Sequence, residues 1–426
     1  MVKMIKANDP QLKSWVETPK NSDFPIQNLP FGIYSTTNKS KRVGVAIGEK
    51  ILDLYTIHEL NYFSSLPFNK EDFSNTYLNS MMKHGKTNVS NLRNRISELL
   101  SEGNTELYGE KEDIDKCFDK QINCKMHLPI KIGDYTDFYS SEQHAYNVGC
   151  MFRDPNNALL PNWKHIPVGY HGRSSSIIPS GQSIYRPKGQ QKADDQENPV
   201  FGPCKLLDFE LEMGFFTFEG KPLGEQITTE EADEYIFGMC LFNDWSARDI
   251  QKWEYVPLGP FLAKNFASSM SPWIVTLDAL EPFRIPGPKQ EPEVLPYLKY
   301  KGNKHIDINL DVVIKQPNGD EKIVTKSNYR HIYWNMNQQL AHHSINGCDI
   351  RCGDLLASGT ISGPEEGSYG SMLEISWKGT KPVKMPDGSE RRFINDGDTV
   401  IMKGYSKNSD IKIGFGEVST LVLPTK

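Results

Sequence analysis

Between Lys205 and Phe216 the sequence runs KLLDFELEMGFF, and from Leu207 onward apolar and acidic residues alternate. A period of two marks a strand, because successive side chains face opposite ways. Asp208, Glu210 and Glu212 then share one face, and Leu207, Phe209, Leu211, Met213 and Phe215 share the other. Next-but-one residues lie roughly 6.6 Å apart at Cα, from a rise of about 3.3 Å per residue. From that spacing two carboxylates can converge on one hard cation. Three acids in register with no interleaved lysine otherwise repel one another. A solvated outer face is the plainer alternative, but the opposite face is apolar enough to be deep core.

Asp244 closes an apolar run, Phe237 to Asn243, where a chain leaves a buried strand. A carboxylate there must be paired, exposed or metal-bound. Arg248, Gln251 and Tyr255 follow at i, i+3 and i+7 of a short helical stretch from Ala247, so they share a face fit for a polar ligand. Upstream lie Asp137, Tyr139, His144 and Arg153, with Ser140 or Ser141 able to cap a short helix that ends at Gly149. An Asp and a neutral His this close suit a metal ligand and a general base. Pro257-Leu258-Gly259-Pro260 sets a rigid turn before Lys264 and Ser268. Gly359 to Ser371 reads as a surface loop able to act as a lid, and it precedes a strand, Ser371 to Trp377, that holds Glu374. From the residues alone the reading is a β-rich hydrolase or lyase with an oxygen-ligated divalent ion. They do not specify a substrate class.

The 426 residues suggest two to three domains. Lys plus Arg number 48 against 54 Asp plus Glu, a net charge of -6, which argues against nucleic-acid and anionic-membrane binding. The seven cysteines, Cys117, Cys124, Cys150, Cys204, Cys240, Cys348 and Cys352, include no C-x-x-C, and they read as reduced thiols of a cytoplasmic protein. No window approaches 18 apolar residues, so no membrane span is expected. His84-Gly85-Lys86-Thr87 lacks the first glycine of a phosphate loop, and Gly359-Thr360-Ile361-Ser362-Gly363 places its serine one position too late for a nucleophile elbow. Residues 1–125 read as one unit. It has two strands across Arg42 to Leu54 around a Gly48-Glu49 turn, helices over 69–83 and 88–100 stopped by Gly85 and Gly103, and a charged linker at 103–125. Residues 126–426 read as a β-rich domain, with a short helix after Thr229, a long helix over Asn328 to Ile345 and a strand over Asp354 to Thr360.

Four blocks carry a resemblance: Ile132 to His144 (IGDYTDFYSSEQH), Leu160 to Gly172 (LPNWKHIPVGYHG), Asn243 to Phe261 (NDWSARDIQKWEYVPLGPF) and Leu355 to Gly363 (LLASGTISG). With Ser22 to Pro30 (SDFPIQNLP), they make the chain resemble the fumarylacetoacetase (fumarylacetoacetate hydrolase) family from residue 22 to near its end. The resemblance implies a small N-terminal SH3-like β domain and a C-terminal mixed β-roll domain. It also implies a homodimer and metal-dependent hydrolysis of a carbon–carbon bond in 4-fumarylacetoacetate, a β-diketone. It implies that Asp137, Glu210, Glu212 and Asp244 bind Ca²⁺ and/or Mg²⁺. His144 would activate water, oriented by Glu374, and Arg248, Gln251 and Lys264 would stabilise developing charge. Tyr139, Arg153, Tyr170, Gln251, Tyr255 and Thr360 would hold substrate. A second ion site would involve Asp244 with Lys264 and Ser268, although Lys264-Asn265-Phe266-Ala267-Ser268 departs from the family's Gly-Thr-rich version. An acylpyruvate hydrolase or oxaloacetate decarboxylase of the same fold, a non-catalytic metal-binding protein and a glycosidase on Glu210 and Glu212 are the alternatives. The N-terminal 125 residues count against the first pair. The placing of both carboxylates on one strand face counts against the last.

Overall fold

The computed structural model describes residues 5–426. Near the N-terminus, Arg42–Ile47 and Lys50–Asp53 form the expected hairpin. Gly48 turns it at φ +55°, and a Cβ there would meet the Glu17 carbonyl at 2.4 Å, so the position needs glycine. Phe31–Ser35 pairs with this hairpin, and Phe118–Lys120 and Lys125–His127 flank the sheet on either side. The stretch expected to be a linker is thus partly sheet, because polar residues such as Asp119 and Lys120 are tolerated on short edge strands. The helix expected over 69–83 is split into Lys70–Ser74 and Asn79–Met82. Gly85 starts the helix Gly85–Leu100 instead of stopping one.

The C-terminal part is built on two mixed sheets. One places Gly169–His171, Tyr135–Phe138, Leu355–Ala357, Leu211–Thr217, Ile236–Asp244, Ser268–Met270 and Ile177–Pro179 side by side, with Val275–Thr276 also on Ile236–Asp244. Two of its pairings are parallel. The other sheet runs Glu321–Asn328, Asn309–Lys315, Thr399–Lys407, Lys412–Leu423 and Ile184–Tyr185. The alternation read from the sequence decides what each face of the first sheet meets. Met213, Phe215, Met239 and Leu241 pack with Leu310, Val312, Val400 and Met402 of the second sheet. Phe216, Cys240, Phe242 and Leu355 pack with Phe31, Ile33, Val45, Leu92 and Ile96 of the N-terminal part. Both faces are therefore buried, and each buried ring stabilises by about 1.5–3 kcal/mol. The joint is also tied by backbone, with Phe31 N–H donating to Ile274 O at 3.0 Å and Ile274 N–H to Phe31 O at 2.8 Å.

Other elements shift from expectation for local reasons. Ser371 to Trp377 is not a strand. The Ser371 hydroxyl accepts from the Glu374 N–H, which nucleates the turn Met372–Ile375. The long helix shortens to Met336–Ser344, because Asn335 and Gln338 form a capping box. Thr229 does not cap the helix Ala232–Tyr235. Its hydroxyl donates to Lys299 O, and Thr228 bonds Glu231 instead. The loop after Ser362 is pinned. Gly363 N–H donates to Ser368 O at 2.9 Å and Lys326 N–H to Gly367 O at 2.8 Å, so it is a laced turn with an exposed tip. All seven cysteines are unpaired. No helix among the described residues is long and apolar enough to cross a membrane.

Candidate active site

Four carboxylates converge from three strands of the first sheet, two of them adjacent and the third one strand removed across Leu355–Ala357. Asp137 lies on Tyr135–Phe138, Glu212 on Leu211–Thr217 with Glu210 just before it, and Asp244 ends Ile236–Asp244. One oxygen from each lies within 4.8 Å of the others, and all four residues are buried. Ligands around one ion bound at 2.3–2.6 Å span up to about 5 Å, so this spread fits a hard dication. Asp137 Oδ1 and Glu212 Oε1 are buried with no hydrogen-bond partner, as expected of oxygens meant for a cation. Burial, then the Asp244 charge, pushes the Asp137 carboxyl well above its ordinary range. Burial and the Asp137 charge do the same to Glu212. Electrostatically the cluster is deficient in positive charge.

Two cations supply part of it. Lys264 Nζ donates to Glu210 and to Asp244 Oδ2 (2.6 Å), and Ser268 Oγ donates to Asp244 Oδ1 at 2.8 Å. Arg248 opens the helix Arg248–Glu254, and its Nη2 lies 2.7 Å from Glu210 Oε1. Burial would raise the Glu210 carboxyl, but Lys264 and Arg248 outweigh it and hold the group far below its usual range. Burial works against the charge on Lys264, but Asp244 and Glu210 outweigh it and raise the ammonium above its ordinary range. A charged ammonium offers donors only, so the Lys264 side chain cannot itself be an ion ligand.

His144 sits at the third position of the helix Glu142–Phe152, whose N-cap Ser141 accepts from the His144 N–H. The helix extends a turn beyond the Gly149 end expected from sequence. Nδ1 lies 2.7 Å from Glu374 Oε2. Glu374 also accepts from Asn147 Nδ2, Ser362 Oγ and Ser371 Oγ, each at 2.9 Å. Burial would raise this carboxyl, yet the His144 charge and the donors hold it below its ordinary value. An ionised carboxylate only accepts, so the shared proton sits on Nδ1, and whenever the imidazole is neutral Nε2 is the nitrogen with the lone pair. That is the form of a general base. A charge on His144 would lower the Glu210 carboxyl, so the dyad lies within electrostatic reach of the carboxylates.

The residues expected to hold substrate are unevenly gathered. Tyr139 stacks edge-on against His144 with ring centroids 5.2 Å apart. Tyr170 Oη donates to Asp244 Oδ2 at 3.3 Å, and Arg248 Nη1 donates to Gln251 Oε1 at 3.2 Å. Thr360 is buried beside Gly359, whose N–H donates to Glu212 Oε2 at 3.0 Å. Arg153 is exposed and turns back onto Ala158 O, and Tyr255 is 52% exposed at the end of its helix. Asn147, Ser362 and Ser371 were not foreseen. Asn147 alone had a signal, at i+3 from His144 on one helix face.

A family model described as Fumarylacetoacetate (FAA) hydrolase C-terminal matches residues 135–422, and one described as Fumarylacetoacetase N-terminal matches 27–129. The Homo sapiens fumarylacetoacetase is 53% identical over 414 residues, 96% of this chain and 99% of that one. The chain belongs to the fumarylacetoacetase family. Fumarylacetoacetases from Dictyostelium discoideum and Arabidopsis thaliana are 51% and 46% identical over 97% of this chain, covering 98% and 99% of theirs. Among solved structures, a fumarylacetoacetate hydrolase from Exiguobacterium antarcticum is 16% identical, with a TM-score of 0.52 over 93% of this chain and 99% of that one. A maleylpyruvate hydrolase from Sphingobium sp. SYK-6, solved with manganese (II) ion and pyruvate, is 11% identical, with a TM-score of 0.51 over 93% and 100%. At such identities these two share the fumarylacetoacetase-family fold and nothing finer.

Proposed function

We propose that this chain hydrolyses 4-fumarylacetoacetate to fumarate and acetoacetate, the last step of tyrosine and phenylalanine breakdown, in a divalent-ion-dependent reaction. The observation that carries the reading is the buried His144–Glu374 pair, 2.7 Å apart, beside four converging carboxylates. The identity to fumarylacetoacetases supports the substrate.

Asp137, Glu210, Glu212 and Asp244 would hold the ion, Ca²⁺ or Mg²⁺, which when bound draws charge onto the two oxygens of the diketone. His144 Nε2 takes a proton from water as the water oxygen bonds to the scissile carbonyl carbon. Glu374 holds the imidazole on its Nδ1 side and stabilises the imidazolium that forms. The carbon–carbon bond then breaks, and its electron pair leaves on acetoacetate as an enolate. Arg248, Gln251 and Lys264 present donors to that developing charge, and donors fixed in advance lose little to reorganisation. The imidazolium returns its proton to the enolate carbon, so one water is consumed and the histidine is restored. Tyr139, Arg153, Tyr170, Tyr255 and Thr360 would orient the substrate, with Arg153 and Tyr255 moving inward to do so. A second ion at Asp244, with Ser268 and the backbone near Lys264, belongs to the same proposal.

Purified protein should consume fumarylacetoacetate, stop in EDTA and resume with Mg²⁺ or Ca²⁺. His144→Ala should lose about 10²–10⁴-fold in kcat while keeping its fold. Faster turnover of acylpyruvates than of fumarylacetoacetate would overturn the substrate, and normal turnover by His144→Ala would overturn the base. We also propose a cytoplasmic homodimer, in keeping with the unpaired cysteines and with exposed Val256, Leu258 and Phe261.

A further inference from the structure

Of the three acids on the face at 208, 210 and 212, two join the carboxylate cluster and one does not. Asp208 is fully buried, and a buried carboxylate must be compensated. Its partners come from two directions. Oδ1 accepts from Met372 N–H at 2.7 Å, and Oδ2 accepts from Leu373 N–H at 3.0 Å and from Arg248 Nε at 2.9 Å. Met372 and Leu373 begin the turn Met372–Ile375 that presents Glu374 to His144. Arg248 begins the helix that carries Gln251. The backbone at Asp208 is fixed as well, paired in register with Ser246, two residues before Arg248.

A guanidinium is planar, so a bond at Nε that fixes its plane also aims its two terminal nitrogens. Nη1 donates to Gln251 Oε1. Nη2 lies 2.7 Å from Glu210 Oε1 but has no aligned acceptor among the described residues. One face of Arg248 is thus held by protein, and one N–H group is left toward the site.

We propose that Asp208 is a positioning residue that keeps Arg248, on the charge-stabilising side of the site, in register with the turn bearing Glu374, on the base side. The inference rests on the hydrolase reading above. Asp208 lies outside the carboxylate cluster, bonds only Arg248 and the turn backbone through its side chain, and acts through Arg248.

The test is Asp208→Asn. Its NH₂ cannot accept. With the oxygen on the Oδ1 side the Arg248 Nε bond is lost, and with it on the Oδ2 side the Met372 N–H faces a donor and the turn is held less firmly. In both orientations the negative charge that holds the guanidinium is gone. Loss of a partner that orients an active group is worth about 10–100-fold. We expect kcat per folded site to fall by about that factor, with KM within about threefold, because the charge met by Arg248 develops only in the transition state. Binding of Mn²⁺, measured by calorimetry on the same variant, should stay within about threefold. In an Arg248→Gln background the Asn change should cost less than about threefold, since the two act together. An unchanged kcat, an equal loss in both backgrounds or a tenfold loss of Mn²⁺ affinity would each overturn the proposal. If the Asn variant does not fold, Asp208→Glu, which keeps the charge, is measured against the same outcomes. Failure of both to fold would assign Asp208 to stability alone and also overturn the proposal. A wild-type protein inert toward fumarylacetoacetate would sink the hydrolase reading instead.

Discussion

Glu374→Gln isolates the charge of the dyad from its shape. Oε2 receives three donors, His144, Ser362 and Ser371, whereas Oε1 receives only Asn147. The amide oxygen should therefore take the Oε2 side and leave His144 in its present tautomer. The NH₂ then faces Asn147 Nδ2. Asn147 can relieve that clash by flipping, which passes the reversal to Gln143, whose Nε2 now donates to Asn147 Oδ1 at 2.8 Å. Geometry survives and charge is lost. With the bond at 2.7 Å, the charge centres of imidazolium and carboxylate lie roughly 4 Å apart, an attraction of about 4 kcal/mol at an effective dielectric of 20. That is the upper bound. The difference between a charge-assisted and a neutral hydrogen bond, about 1–1.5 kcal/mol, is the lower. At about 1.4 kcal/mol per decade, kcat should fall between about 10- and 1,000-fold. KM should hardly move, because the imidazolium exists only as water is deprotonated. Steady-state rates, read from loss of diketone absorbance on protein shown by circular dichroism to be folded, provide the assay. A kcat within about threefold of wild type, or an effect confined to KM, would refute the role given to Glu374.

Glu212→Gln should have effects of opposite sign. Without an ion it removes one of the mutually repelling buried acids, so thermal stability in EDTA should equal or exceed wild type; with Mg²⁺, the rise in Tm and the activity should both be lost. His305 is buried, and that burial lowers its pKa from 6.5 to about 4. Its folded value lies below its unfolded one, so its contribution is full above pH 6.5 and is lost as pH falls toward 4. That difference is worth about 3 kcal/mol. Urea melts at pH 7 and pH 4.5 should show wild type losing more stability than His305→Gln, and equal losses would refute the assignment. Leu258 is 97% exposed in an apolar stretch, so Leu258→Glu should shift the sedimentation coefficient from dimer to monomer. No shift would place the dimer face elsewhere.

Glu210 and Glu212 were legible because alternation is local, and Asp244 because it closes an apolar run; the single strand expected over Lys205 to Phe216 is broken into Leu207–Asp208 and Leu211–Thr217. The His144–Glu374 pair was not legible from spacing. Its partners are 230 residues apart, and only the family resemblance joined them. The turn at Met372–Ile375 was misread as a strand because MLEISW is apolar, and the Ser371 cap outweighs that bias. Phe118–Lys120 and Lys125–His127 were hidden by their charge, which edge strands accept. Asp208 was visible as an acid on the right face, but its turn away from the cluster depends on Arg248 and the Met372 backbone, which only the tertiary structure brings to it.

Phe242 and Phe216, which the N-terminal part covers, point the same way from the sheet as Asp244 and Glu212. The floor of the carboxylate cluster is thus continuous with the joint between the two parts of the chain. Such a protein has no expendable half. A lesion at Ile33 or Leu92 would loosen that joint and leave less folded protein, without altering any group that performs the reaction. In a survey of damaging substitutions, the N-terminal hundred residues should therefore look as sensitive as the site itself. Their signature, however, would be less protein at unchanged turnover per surviving molecule.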